Sequence, residues 1–561
     1  MTTNPALVLM LGAAALPLLR GRWRGALMLL LPAAGLVLLW LLPGGTGGSF
    51  VFLGLELTPL RIDDLSRLFA TGFLIAALLT AIYALHLNDP LQQAAIVFYA
   101  GTAVGGALAG DLVTLFVCWE LAGLSSACLI WAGRTERSYR AGMRYLIAQL
   151  TSGLLMLTGI ALRVHEGHGI GFAGLGADSA SGVLILLAAG LKCAFPLLHA
   201  WLPDTYPEAT AVGTVALSPF TTKLAVYVLA RGFPGTEALI WVGVAMAVFP
   251  IFYAVIENDL RRVLAYSMIN QLGFMVAGVG IGGALGINGA GAHAVADMVF
   301  KSLLFMAMGA VLLRAGTTKG SELGGLYKSM PQTAALCMVG AASISAFPLF
   351  SGFATKSLII EAVGQEHRTL AWLLLLFASA GVFHHAGIKI PYFAFFAHDR
   401  GLRVSEPPLN MRAAMALAAL ICIVIGTAPD LLYALLPYEM DYAPYTTAHV
   451  VNQLQLLLLA AMAFTVLIRT GLYPPELRSV NLDVDVVYRR LLPRGLQALT
   501  RTVPRLGSGV RASLVSRVHR LAGAATAMVR PGARLVSPWA THLTVWWAAV
   551  LLGAVLALTL L

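Results

Sequence analysis

The chain is a succession of apolar stretches, each about 20 residues long, running from Pro5 to Leu561 with short polar breaks between them. That length is what an α-helix needs to cross about 30 Å of hydrocarbon. Inside a bilayer no water satisfies backbone N–H and C=O groups, so a spanning segment must be a helix or part of a closed barrel. Continuous hydrophobicity, rather than alternation, selects helices. We read about sixteen spans, at 5–19, 26–42, 64–85, 91–109, 111–132, 139–162, 181–203, 210–230, 237–256, 263–283, 289–313, 331–361, 370–396, 411–436, 448–468 and 541–561. The seventh and twelfth are interrupted by proline. The fold class expected is an all-α polytopic membrane protein.

Composition agrees. Hydrophobic residues make up 59% of the chain and charged residues 11%, against about 25% charged in soluble domains. Of the 37 lysines and arginines, five lie inside spans. If the N-terminus is outside, five more (Arg61, Arg67, Arg163, Arg231 and Arg368) face outward and the remaining 27 face the cytoplasm. This is the bias of the positive-inside rule. The opening sequence MTTNPALVLM has no basic n-region, so the first helix is expected to be retained.

The net charge of +11 has a local source, because Val486 to Leu561 holds ten arginines and no acidic residue or lysine. The stretch from Tyr488 to Val529 mixes arginines and apolar residues at helical spacing, broken at Pro493, Pro504 and Gly507. A broken amphipathic segment against anionic lipid at the inner surface is expected, with a floppy basic linker as the alternative. The segment leads into a further span, which argues against a nucleic-acid partner. The expected organisation is N-terminal helices at 1–90, a first repeat at 91–232, a second at 233–400, C-terminal core helices at 401–470, the basic interfacial segment at 471–540 and a final helix at 541–561.

The five cysteines, Cys118, Cys128, Cys193, Cys337 and Cys422, form no C-x-x-C pair or metal-ligand cluster. No P-loop sequence is present. Cofactors and metals are therefore not expected, nor is an ATP-driven cycle. His165 and His168 in VHEGHG have ligand-like spacing, yet they fall in a polar outer loop and are expected to be solvated.

Seven lysines stand against thirty arginines, and five of the seven are intramembrane: Lys192, Lys223, Lys301, Lys356 and Lys389. An ammonium group at the bilayer centre costs roughly 2.5–3.5 kcal/mol on the lenient scales. A buried lysine can shed its proton, whereas arginine stays charged. Glu120 is the lone acid in mid-span LVTLFVCWELAGLSSACLIW. A carboxylate beside a buried lysine can exist as an ion pair or as two neutral groups, and the exchange moves a proton. Lys192 stands before Pro196, and Lys356 follows Pro348 and Gly352. An ionisable group beside a helix break is a typical ion-path setting. The tripeptide Phe-Pro-Leu occurs at both breaks, which suggests two related halves. His293, Asp297 and Lys301 are spaced i, i+4, i+8 and line one helix face. Lys223 is expected between the halves. His384, His385 and Lys389 extend the series, with the histidines as readily packing residues as relays and Lys389 able to snorkel to the cytoplasmic surface.

The run ENDLRRVLAYSMINQLGFMVAG at 257–278 resembles the hallmark of the antiporter-like subunits shared by respiratory complex I and multisubunit cation/proton antiporters. GLKCAFPLLHAWLPDTYPEA, HAVADMVFKSLLFMAMGAVLLRAG, ELGGLYKSMP and FPLFSGFATKSLI are similar to it as well, in the same order. The resemblance implies a core of about 14 helices with two inverted five-helix repeats, each holding a broken helix, and a central hydrophilic axis for protons. It further implies Glu120 with Lys192 as the first half-channel pair, Lys301 as the central relay and Lys356 as the terminal residue of the second half. FTTKLAVYVLARGFPG, with Lys223, resembles the D subunit of Mrp-type Na⁺/H⁺ antiporters. The largest complex I subunit typically has histidine there, and an aspartate where Ser357 stands here. The basic tail and additional C-terminal helix exceed a D-subunit core and are similar to the lateral helix of that largest subunit.

The expected function is a proton-translocating subunit of a multisubunit Na⁺/H⁺ antiporter in a bacterial inner membrane, partnered by other hydrophobic subunits and by lipid. H⁺ and Na⁺ are the expected cargo. The alternatives are the pumping subunit of a complex I-type quinone oxidoreductase or membrane-bound hydrogenase, and a scaffold whose ionisable residues serve assembly alone.

Overall fold

A computed structural model of the chain describes residues 4–52, 54–474, 476, 481, 483–487, 491 and 493–495. The expected final helix at 541–561 and most of the basic segment at 471–540 lie outside the described residues. Within them, twelve helices are long and apolar enough to cross a membrane. Three shorter apolar helices, Pro5–Leu18, Ala180–Lys192 and Pro331–Ile344, stand where the first, seventh and twelfth spans are expected.

The order is α1 (Pro5–Ala15), α2 (Gly21–Leu41), α3 (Asp64–Tyr83), α4 (Pro90–Leu108), α5 (Leu112–Trp131) and α6 (Glu136–His165). The first broken span is α7 (Ala180–Lys192) followed by the short α8 (Trp201–Thr205). Then come α9 (Ala211–Leu217), α10 (Thr221–Gly232), α11 (Glu237–Ile256), α12 (Leu260–Ile281) and the 33-residue α13 (Gly283–Ala315). The second broken span is α14 (Pro331–Ile344) and α15 (Ser351–Gln365). It is followed by α16 (Thr369–Val382), α17 (Leu409–Thr427) and α18 (Thr447–Arg469).

Local chemistry sets many of the boundaries. Asp63, Asp111, Thr135, Ser179, Thr210 and Thr446 each accept a backbone N–H from the first turn of the helix they begin, relieving the orphan donors there. Asp63 and Thr135 do so within full capping boxes closed by Ser66 and Ser138. α13 ends at Gly316, which takes the left-handed conformation at φ 74°.

Two features depart from uniform helices. Between α2 and α3 the loop forms small antiparallel ribbons, Gly45–Gly47 with Leu60–Ile62 and Phe50–Phe52 with Leu55–Leu57. The thirteenth span leaves α16 through two π-helical turns, Phe383–Ile388 and Tyr392–Phe396.

The interior is built around α12 and α13, which are buried along nearly their whole length. α11 meets α12 backbone to backbone. A Cβ at Gly243 would fall 2.4 Å from Ala277 N, one at Gly273 2.4 Å from Ala247 N, and one at Gly280 2.4 Å from Ile240 N. α13 also packs against α3, α14, α15 and α17, so its side chains see the centre of the bundle rather than lipid.

Candidate functional site

Two identical tetrapeptides, Ala-Phe-Pro-Leu at 194–197 and 346–349, produce two nearly identical helix breaks. At the first, Phe195 N–H donates to Gly190 O at 2.9 Å and Ala194 N–H to Leu191 O at 3.2 Å. At the second, Phe347 N–H donates to Ala342 O at 3.0 Å and Ala346 N–H to Ser343 O at 3.1 Å. Both are Schellman closures, but with alanine at the position glycine usually takes. Ala194 and Ala346 have φ 62° and 56°, and Leu197 and Leu349 have φ 70° and 72°. A left-handed L-residue costs roughly 1–2 kcal/mol, so the surrounding packing must hold each break in place.

Each break leaves carbonyls that proline cannot satisfy, since it has no N–H. In a continuous helix residue 348 would donate to Ile344 O. Here Lys356 Nζ, on α15, reaches back across the break and donates to that carbonyl at 3.0 Å. At the first break Trp201 Nε1 donates at 2.9 Å to Leu191 O, which already accepts from Ala194 N–H, and not to the Lys192 carbonyl that Pro196 leaves.

The expected repetition of the lysines is not exact in space. Lys192 precedes its break, while Lys356 follows its own. Aligning the tetrapeptides puts Asp204 opposite Lys356 and Ile344 opposite Lys192. Asp204 pairs with Arg144, Nε to Oδ2, at 2.6 Å.

Lys192 is buried, and its Nζ donates to Trp119 O on α5 at 2.6 Å, 4.3 Å from the Trp119 ring centroid. The expected contact pair with Glu120 is not formed. No ion pair within 4.0 Å joins the two, and Glu120 Oε1 is buried without a hydrogen-bond partner. Lys192 holds instead the carbonyl of the residue next to Glu120. Gly153 on α6 makes room for the acid, because a Cβ there would lie 1.8 Å from Glu120 Oε1.

At the centre, Lys223 Nζ and Asp297 Oδ2 form a 2.5 Å ion pair between α10 and α13, and both side chains are fully buried. Lys223 also donates to Ser218 O at 3.2 Å, where the chain breaks between α9 and α10. Asp297 therefore pairs across helices rather than along its own. One turn on, Lys301 Nζ donates to Ser267 Oγ at 2.9 Å. One turn back, His293 bridges Thr355 Oγ1 through Nδ1 and Gln271 Oε1 through Nε2, both at 3.0 Å. Thr355 adjoins Lys356, so the His293 bond ties α13 to the second broken span. Lys223 carries a carboxylate partner, whereas Lys192, Lys301 and Lys356 are held by neutral acceptors. A buried amine with a neutral acceptor keeps that hydrogen bond whether or not it carries the extra proton.

The remaining candidates lie to one side. His384 stacks on Tyr473 with centroids 5.6 Å apart, and Nε2 of His384 and both ring nitrogens of His385 are buried without a partner. Lys389 does not snorkel. It is fully buried, donates to Val255 O at 2.7 Å and Glu257 O at 2.6 Å, and pairs with Glu476 Oε1 at 2.8 Å. It thereby closes the C-terminal end of α11, whose last carbonyls have no intrahelical donor. His165 and His168 are exposed. Among the described residues no group of three His, Cys, Asp or Glu side chains could hold a metal ion.

Ser267, Asn270 and Gln271 escaped the sequence reading. They are polar, fully buried and spaced i, i+3, i+4 on α12; Ser267 and Gln271 meet Lys301 and His293 of α13, while Asn270 accepts from Gln271 and donates to Ala247 O on α11. That spacing within an otherwise apolar helix was the available signal. His199 and Asp483, which pair at 3.1 Å, also escaped it. They are distant in sequence, and no local pattern connects them.

Comparison with known proteins places this geometry. The profile of the family described as NADH:quinone oxidoreductase/Mrp antiporter, TM, matches residues 109–383, the stretch from α5 to the first π-helical turn. The A/B subunit of a probable K⁺/H⁺ antiporter from Rhizobium meliloti is 32% identical over 410 residues, covering 67% of this chain and 41% of the relative. The D subunit of a Na⁺/H⁺ antiporter from Alkalihalophilus pseudofirmus is 28% identical over 411 residues, covering 68% of this chain and 82% of the relative. A chain in the structure of the Mrp complex from Dietzia sp. DQ12-45-1b superposes with a TM-score of 0.77 at 27% identity, covering 94% of this chain and 63% of that one. The chain spans about half the length of the first curated relatives it matches, between 41% and 62% of four of them. With its two matched helix breaks and the buried ionisable row between them, the chain belongs to the NADH:quinone oxidoreductase/Mrp antiporter family of membrane subunits.

Proposed function

We propose that this chain is the proton-translocating subunit of a multisubunit monovalent cation/proton antiporter in a bacterial inner membrane, working with other hydrophobic subunits that supply part of the cation path. One observation carries this reading. A fully buried Lys223–Asp297 ion pair lies between two helix breaks, flanked by Lys301 and His293, with a lysine at each break. By the charge bias of the loops, α7 runs inward and α14 outward. The distal part of the first break then lies toward the cytoplasm and that of the second toward the outside. A proton passes between Lys356 and Lys192 by way of His293, Lys301 and the Lys223–Asp297 pair, with Glu120 as the acid of the first half. A transient excess proton at either lysine weakens or strengthens the central pair through its charge, which couples the halves. Downhill proton flow is coupled to Na⁺ export.

The test is to reconstitute the whole complex and replace Glu120, Lys192 or Lys356 with alanine. Each variant is expected to assemble and to lose Na⁺-dependent proton flux. Full antiport in all three sinks the assignment, and copurification with iron–sulfur or flavin subunits replaces the antiporter by a redox-driven pump.

A further inference from the structure

Beyond α18 the chain returns to the cytoplasmic ends of the bundle and places acids against it. Glu476 pairs with Lys389 at 2.8 Å, and Asn481 Nδ2 donates to Glu257 Oε2 at 3.2 Å. Asp483 goes deepest. Its Oδ1 lies 3.1 Å from His199 Nε2 and accepts from its neighbour Val484 N–H at 2.6 Å, and its Oδ2 accepts from Tyr266 OH at 2.7 Å.

His199 sits inside the first helix break, seven residues after Lys192, and is 3% exposed. The Phe249 ring lies 4.6 Å from it, centroid to centroid, and its Nδ1 is buried with no hydrogen-bond partner. A histidine whose one nitrogen meets an acid while the other is buried and free has the two-ended form of a proton shuttle.

We infer that Asp483, His199 and Tyr266 form the proton-transfer site at the cytoplasmic mouth of the first half, joining Lys192 to the cytoplasm. The inference rests on the transport reading above. A proton arriving from the cytoplasm at Nε2 makes the imidazolium, which the Asp483 carboxylate stabilises. Loss of the Nδ1 proton inward leaves a neutral ring bearing its proton at Nε2, rotation of the imidazole exchanges the two nitrogens and resets the ring before the next proton enters, and outward flow reverses the steps. Tyr266 holds Asp483 in register from α12, and Tyr253 on α11 stacks on Tyr266 at 5.2 Å and 12°. The other charged groups around the site are Arg262 at the start of α12, Glu257 before it, Asp485 on the returning segment, and the Arg144–Asp204 pair of α6 and α8. Burial pushes the Asp483 carboxyl up, but the His199 and Tyr266 bonds outweigh it and hold the acid below its ordinary range.

The test uses everted membrane vesicles containing the complete complex, with Na⁺-dependent proton flux followed from pH 6 to 9. Asp483→Asn keeps the hydrogen-bond acceptor and removes the charge. The neutral amide no longer favours the imidazolium, so the alkaline limb of the activity–pH profile is expected to move acidward by about one unit. Above that limb the flux falls about tenfold. His199→Gln is expected to abolish the limb, and Asp483→Glu to restore it. A wild-type rate and profile in Asp483→Asn overturns the inference. So does equal loss in Asp483→Asn and Asp483→Glu with an unshifted profile, the signature of a structural anchor. Glu120→Gln in the same vesicles separates the two readings. If it loses flux while the Asp483 and His199 variants keep theirs, the transport assignment stands and the mouth site fails, and if it retains flux together with the Lys192 and Lys356 variants the assignment itself fails.

Discussion

The sharpest perturbation is at the Lys223–Asp297 pair. Asp297→Asn leaves a fully buried ammonium group with neutral acceptors only, the amide oxygen and Ser218 O at 3.2 Å, and no compensating charge. Removing one partner of a buried pair costs about 3–5 kcal/mol. Lysine has an escape, since neutralising an ordinary lysine at pH 7 costs about 4.6 kcal/mol, and that sets the ceiling. For a chain of this size each kcal/mol is worth about 1–2 °C, giving a fall of about 3–9 °C in the unfolding midpoint. Unfolding in detergent can be followed by reaction of a thiol dye with Cys118, Cys193, Cys337 and Cys422, all buried in the folded chain. The double variant Lys223→Met, Asp297→Leu replaces two charges with apolar side chains. It is expected to return the midpoint to within about 1 kcal/mol of wild type, because well-packed apolar substitutes for a buried pair are often neutral or better. Proton flux should nevertheless be lost in the double variant. Recovery of both stability and flux would refute the relay argument, and an unchanged midpoint in Asp297→Asn would refute the energetic one.

Two glycines and one loop give further checks. A Cβ at Gly352 would stand 1.9 Å from Ser343 O, a backbone atom of the facing half-helix that cannot swing away. Gly352→Ala should therefore destabilise by about 1–3 kcal/mol, whereas the clash at Gly153 is with the flexible end of Glu120. Gly153→Ala should keep its unfolding midpoint and lose flux, and the opposite pattern would contradict the assignment of these contacts. In the loop between Phe396 and α17, Arg403, Lys328 and the Gly401 N–H hold the Asp399 carboxyl well below the usual carboxylate range. A depressed acid contributes stability above its ordinary value near 4 and loses it only as pH falls through the lower folded value. Tryptic cleavage at Arg400 and Arg403 should thus be independent of loop protonation from pH 6 to 8 in the wild type and faster throughout in Asp399→Asn. Equal rates would show that the cluster does not order the loop.

Much of the architecture was legible because lipid imposes a length and a composition on every span. Helix existence followed from continuous hydrophobicity, and the broken spans from Pro196 and Pro348. The π-helical turns around His384 and His385 and the ribbons at 45–62 were not legible, since neither has a local signature stronger than its neighbours'. Among candidate residues, the lysines stood out by type. Their partners did not.

The sequence alone therefore determined which groups could carry a proton: five lysines, two acids and three histidines in spans where charge is expensive. Only the tertiary structure decided how they connect. It paired Asp297 with Lys223 across helices, set Lys192 on the Trp119 carbonyl instead of Glu120, sent Lys356 back to the carbonyl a proline had orphaned, and buried Lys389 against Glu476. The physical reason is that residue type sets the cost of burying a group, and that cost is local. Relief of the cost comes from whichever acceptor the packing brings within about 3 Å, and that is a property of the whole bundle.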